Sequence, residues 1–259
     1  MLINSYRFGA TYDTQAQAYI TAVETADGQA LETATRDAIN AFVVGCKTDG
    51  IWAAFQQCGI LCGARTQAGA LIPLIKPSGN SNPLQQGTVN GWTYNRKTGL
   101  AGNGVNNYVD TNYIIPSGNQ NNCHASIYKT TAVAGGGNPY YIGTATSEFG
   151  SIFAIGSAGA YPLGSVTAGS SAIGLSAFSR ANSSSASFIR PGSSAVSISN
   201  SSSTVPSASV YLNVINNNGS PGTQWSSAPL AFYSIGTDIN LGLLSTRVTD
   251  LINAITAAF

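Results

Sequence analysis

Between Trp92 and Ile235 the chain breaks into short runs of β-forming residues, each closed by Gly, Asn, Ser or Pro, with no helical segment between them. Candidate strands are 107–115, 124–131, 140–145, 151–155, 173–180, 185–190, 195–199, 207–215 and 229–235. Parallel pairing needs crossover connections of about a dozen residues or more, usually helical, which these turns cannot supply. The expected fold is therefore mainly β: an antiparallel β-sandwich or jelly roll with one face of each strand buried.

Helical spacing occurs only at the two ends. Leu31, Ala34, Ala38, Ile39, Phe42, Val43 and Cys46 line one face, with Asp27 upstream as candidate N-cap. Thr48-Asp49-Gly50 punctuates the chain before Ile51, Trp52 and Phe55, which predict a second, shorter helix and so a helical hairpin. Residues 59–75 read as a buried connector ending near residue 80. At the other end Asp238 is the candidate cap of a helix carrying Leu241, Leu244, Val248, Leu251 and Ile255. Two heptads bury little, so packing on the sandwich or on the first helix is favoured over a coiled coil. The expected organisation is an arm over 1–22, hairpin and connector over 23–80, and sandwich plus C-terminal helix over 81–259.

Only 8% of the 259 residues are charged, against about 25% in ordinary soluble domains, so Ser, Thr, Asn and Gln must make most of the surface. A formal net charge of +1 offers no basic face for nucleic acid or an anionic membrane. No window approaches the roughly 20 apolar residues of a membrane span, and the first residues lack a signal peptide's apolar centre. Cys46, Cys58, Cys62 and Cys123 are expected as free, buried thiols.

Catalytic and metal chemistry finds little support. A hydrolytic triad needs a His between nucleophile and carboxylate, and the single His124 lies within a candidate strand. Cys123-His124 and Cys58-x3-Cys62 match no standard zinc spacing. Asp110 and Glu148 are the acids available for a glycosidase pair, but Asp110 reads better as a partner for a neighbouring backbone group and Glu148 as a loop residue. Residues 134–139 lack the Lys and following helix of a phosphate loop. The expectation is no catalytic residue, no metal and no cofactor.

Binding chemistry remains. Tyr12, Tyr113, Tyr140, Tyr141, Tyr161, Trp92 and Trp225 sit in or beside stretches rich in Asn, Gln and Ser. Flat apolar rings beside amides suit sugar rings or a neighbouring subunit. Trp225 and Tyr161 are the leading candidates, followed by Tyr140 and Tyr141.

Residues 18–32 and 38–52 resemble segments of tailed-bacteriophage virion proteins. Tyr94-Asn95-Arg96-Lys97-Thr98-Gly99-Leu100 with Gly102-Asn103-Gly104 is similar to a marker segment of that family's concanavalin A-like, laminin-G-like jelly roll. So is Phe232-Tyr233-Ser234-Ile235-Gly236 leading into Leu243-Leu244-Ser245-Thr246-Arg247-Val248. The resemblance spans residues 18–259. It implies a compact appendage on the virion surface, assembled in the host cytoplasm: a capsid decoration or head fibre, or a short tail-fibre or baseplate component. Its partners would be other capsid or tail proteins, reached through the arm with Tyr6, Phe8 and Tyr12, in a homo-oligomer for which a trimer is favoured. The alternative it leaves open is a receptor-binding lectin for host surface glycan.

Overall fold

A computed structural model describes residues 11–132, 139–145, 153–155 (backbone alone), 172–199, 201–202 and 204–259. Its helices are α1 (Thr14–Asp27), α2 (Thr33–Thr48), the single turn α3 (Gln67–Ala70) and α4 (Leu241–Ala257). The strands are β1 (Phe55–Ile60), β2 (Pro73–Ile75), β3 (Leu84–Gln86), β4 (Thr93–Asn95), β5 (Gly99–Ala101), β6 (Tyr108–Ile114), β7 (Cys123–Lys129) and β8 (Ile142–Ala145). They continue as β9 (Phe153–Ile155), β10 (Gly174–Arg180), β11 (Ser185–Ile189), β12 (Val196–Ser199), β13 (Ser209–Leu212), β14 (Asn216–Asn217), β15 (Ser220–Pro221) and β16 (Leu230–Gly236).

Two sheets form. The main sheet runs β12-β11-β10-β7-β16-β1-β2, with β5 on β16 and β4 on β5; the second runs β15-β14-β8-β13-β6-β3, with β9 on β8. Pairing is antiparallel except where β8 meets β9 and β14. Alternation of side chains sends one set from β7, β10 and β16 toward the second sheet: Ala125, Ile127, Phe178, Leu230, Tyr233 and Ile235 meet Val109, Tyr113, Val210 and Leu212. The other set, including Tyr128, Leu175, Ala177 and Phe232, meets α1, α2 and α4. The molecule is thus three layers: helices, main sheet, second sheet. Strands β7, β10 and β16 are buried along their whole length.

The helical layer differs from the sequence expectation. Helix α1 already occupies residues 14–22 of the supposed arm, buries Tyr19, Ile20 and Val23, and ends at Gly28 in the left-handed region. The hairpin is therefore α1 with α2. Asp27, expected to cap α2, instead accepts hydrogen bonds from Arg65 N, Thr66 N and Thr66 Oγ1. Leu31 N finds its acceptor in Glu24, which also takes Arg36 Nε. The expected second helix at Ile51 is one 3-10 turn, Trp52–Ala54, leading into β1, and the connector supplies the end of β1 and all of β2 to the main sheet. The apolar run Ile60-Leu61-Cys62 is continuous because β1 is buried on both faces, which conceals strand periodicity. Helix α4 packs on α2 and on the main sheet, as favoured from its narrow stripe. Its cap is Asn240, whose Oδ1 accepts from Gly242 N and Leu243 N, whereas Asp238 accepts the Ser179 hydroxyl at 2.6 Å.

Specific contacts lock the layers. Phe42 of α2 meets the rings of Phe55 and Phe232 at 6.3 and 5.6 Å. The Arg96 guanidinium donates to the carbonyls of Gly63 and Ala64 and to both oxygens of Glu32, and holds that carboxyl below the usual range. Tyr233 lies against Gly59 with its hydroxyl taking a bond from Gln57 Nε2 at 3.1 Å.

A Cβ on Gly59 would stand 2.3 Å from Tyr233 Cε1, and Tyr233 is fully buried. Gly59→Ala should therefore cost about 1–3 kcal/mol through overpacking, read as a lowered urea midpoint with unchanged slope. A midpoint equal to the parent's would mean the inter-sheet layer can yield.

Candidate functional site

Strand β6 alternates cleanly: Val109, Thr111 and Tyr113 are buried, while Tyr108 and Asp110 are only half-buried and point away from the main sheet. In the neighbouring β13, Val210 and Leu212 enter the core, so Tyr211 shares the outward face with Tyr108 and pairs across the strands with Asp110. The Tyr108 and Tyr211 rings stand 4.5 Å apart at 35°, and Trp225, half-buried, lies 6.0 Å from Tyr108 at 50°. Tyr211 is 6% exposed and forms the floor of this cluster. Burial, then the adjacent Tyr108 and Asp110, push its phenol up, and the hydroxyl is hydrogen-bonded to the side chains of Tyr108 and Ser209. One oxygen of Asp110 accepts from Asn112 N at 2.8 Å. Asn112 has φ 55° where the β6–β13 register shifts, so Asp110 fastens a bulge, as expected of a residue satisfying nearby backbone. The result is an aromatic platform with a carboxylate at its edge, on the solvent side of the second sheet.

Of the residues expected in a binding site, Trp225 belongs to this platform. Tyr140 and Tyr141 do not. Both are fully buried, Tyr141 between the sheets with Lys129 Nζ 4.6 Å from its ring centroid, and Tyr140 beside Ala145 and Ile215. Strand β8 and the chain entering it sink into the core, which removes both rings from any ligand. Tyr113 is likewise buried, and Trp92 rests half-buried against the inter-sheet core. Tyr6, Phe8, Tyr161 and Glu148 lie outside the described residues. Tyr12 is half-buried and donates to Asp37 at 2.8 Å, so it belongs to the helical layer. Tyr108 was missed, although strict alternation from Val109 to Tyr113 was a signal that could have placed it beside Asp110 on one outward face.

A second polar group lies under the helices. His124 is fully buried on β7, with Nδ1 2.5 Å from the Thr237 carbonyl and Nε2 3.0 Å from Ser234 Oγ. A carbonyl only accepts, so the proton sits on Nδ1; the neutral ring then accepts from Ser234, which takes a bond from Ser126 at 2.6 Å. Burial lowers the His124 pKa to about 4. Both serines have no exposed surface, so this chain of hydrogen bonds satisfies polar groups in the core and meets no substrate. Among the described residues no three His, Cys, Asp or Glu side chains converge as metal ligands. The four cysteines are free and buried, and burial raises the Cys46, Cys62 and Cys123 thiols to about 12.

A cleft of about 430 Å³ opens where α4 begins, lined by Ser179, Asn182, Ser185, Ser187 and Asp238 among others. Its polar groups largely bond to one another: Ser179 to Asp238, Ile239 N to Ser179, Asn182 to Ser185. No protein-family model, curated protein or solved structure matches this chain.

The unfolded chain takes up a proton on His124 near pH 6.5, which the folded protein refuses until about pH 4. The stability this provides is whole above pH 6.5 and is lost as pH falls toward 4, by about 3 kcal/mol at most. His124→Gln should flatten the fall in urea midpoint between pH 7 and pH 4.5 relative to the parent. Parallel pH profiles for the two proteins would reject the assignment.

Proposed function

We propose that this chain is a structural appendage on the surface of a tailed-bacteriophage particle and works by adhesion, not by turnover. It would be a capsid decoration or head fibre, or a short tail-fibre or baseplate component, contacting other virion proteins and assembling as a homo-oligomer, with a trimer favoured. The family resemblance of residues 18–52, 94–104 and 232–248 supports the assignment, as does the two-sheet arrangement, which we read as a concanavalin A-like jelly roll.

The observation that carries the proposal is sidedness. The chain enters α1 through Tyr12 and Asp13, both bound to α2: Tyr12 to Asp37, Asp13 N to Asn40 and the Asp13 carboxylate to Lys47 Nζ at 2.8 Å. The described chain thus begins at the helical layer, while the aromatic platform lies on the far side of the second sheet. An anchor on one side and an adhesive face on the other suit an appendage. A surface poor in ionisable groups supports the same reading, because contacts made by Ser, Asn and aromatic rings carry a small desolvation cost. A second reading, a receptor-binding lectin for host surface glycan, is favoured by the platform alone and is compatible with the first.

Deleting residues 1–10 leaves the Tyr12 and Asp13 contacts intact, so the shortened protein should keep the parent's Tm. It should fail to join particles when supplied during assembly, as read by immunoblot of purified virions. Incorporation equal to that of the full chain would reject the arm as anchor.

A further inference from the structure

We propose that Tyr108, Tyr211 and Trp225 stack against a neutral hexose unit of a surface polysaccharide, and that Asp110 both binds its hydroxyls and excludes acidic sugars. The inference deepens the lectin reading and rests on it.

The rings alone would suit any flat apolar partner; the carboxylate narrows the choice. Among the described residues Asp110 forms no ion pair, and one oxygen is committed to Asn112 N. Its remaining acceptor capacity therefore faces a ligand that brings hydroxyl donors, and hydrogen bonds to a charged acceptor are among the stronger neutral-ligand contacts. Among the described residues no Lys or Arg forms an ion pair with this carboxylate, so an anionic ligand would meet its negative charge. A pyranose supplies what the site lacks: a C–H face to lie on Tyr108 or Trp225, and rim hydroxyls for Asp110. The half-buried rings of Tyr108 and Trp225 leave area for one sugar ring.

The test titrates the full-length protein with neutral hexose and N-acetylhexosamine oligomers, and in parallel with uronic-acid and sialic-acid polymers, following tryptophan fluorescence and calorimetry. At least one neutral oligomer should bind by roughly 10 mM, and Trp225→Ala and Tyr108→Ala should each weaken it about tenfold or more while Tm is kept. Asp110→Asn retains an acceptor for Asn112 N; it should reduce neutral-sugar affinity several-fold and let acidic polymers bind. Three outcomes would overturn the inference. One is no neutral sugar bound by the parent. Another is acidic polymers bound by the parent as tightly as neutral ones. The third is a platform variant that changes oligomeric state with sugars inert, making the face a contact between copies. Each is read on purified protein and leaves particle incorporation, the measure of the appendage proposal, to be judged separately.

Discussion

A β-sheet buried on both faces cannot exist alone in water, and the rest of this structure follows from that constraint. Strands β7, β10 and β16 expose almost nothing, so each face of the main sheet needs its own cover. The second sheet covers one face with Val109, Tyr113, Val210 and Leu212; α1, α2 and α4 cover the other, with Phe42 at the centre. Without the helices a row of apolar side chains and the neutral His124 with its serines would meet water. The polar groups of that layer are tolerated because they are arranged as a hydrogen-bonded chain ending on the Thr237 carbonyl.

The three-layer order also creates sidedness. The outer face of the second sheet is half-exposed along β6, and it is there that alternation along β6 and β13 gathers Tyr108, Tyr211 and Asp110. The N-terminal chain reaches the opposite layer. In the proposed reading, anchorage and recognition would be separated by the thickness of the molecule, and neither would need ionisable groups in quantity.

Nine candidate strands from residue 107 onward correspond to β6 through β13 and β16, because turn residues delimit them and β-branched or aromatic residues fill them. The short strands β3, β4, β5, β14 and β15 were invisible: two or three residues carry no period. Strand β1 was hidden for another reason, since double burial erases alternation from Phe55 to Ile60 and Trp52 with Phe55 mimics helical spacing. Helix α1 escaped notice because its exposed face is Thr, Gln and Ala, which leaves Tyr19, Ile20 and Val23 as a sparse stripe. At the site, Trp225 was legible as an aromatic amid polar residues, whereas Tyr140 and Tyr141 share that local signature and are core. Their burial is set by tertiary pairing of β8, which no local window contains.

Electron cryomicroscopy of intact particles carrying this protein, at a resolution that orients the domain, tests the central claim most directly. The account predicts density for the helical layer against the particle and the Tyr108–Trp225 face turned to solvent. A helical layer facing outward, with that aromatic face buried against the shell, would contradict it.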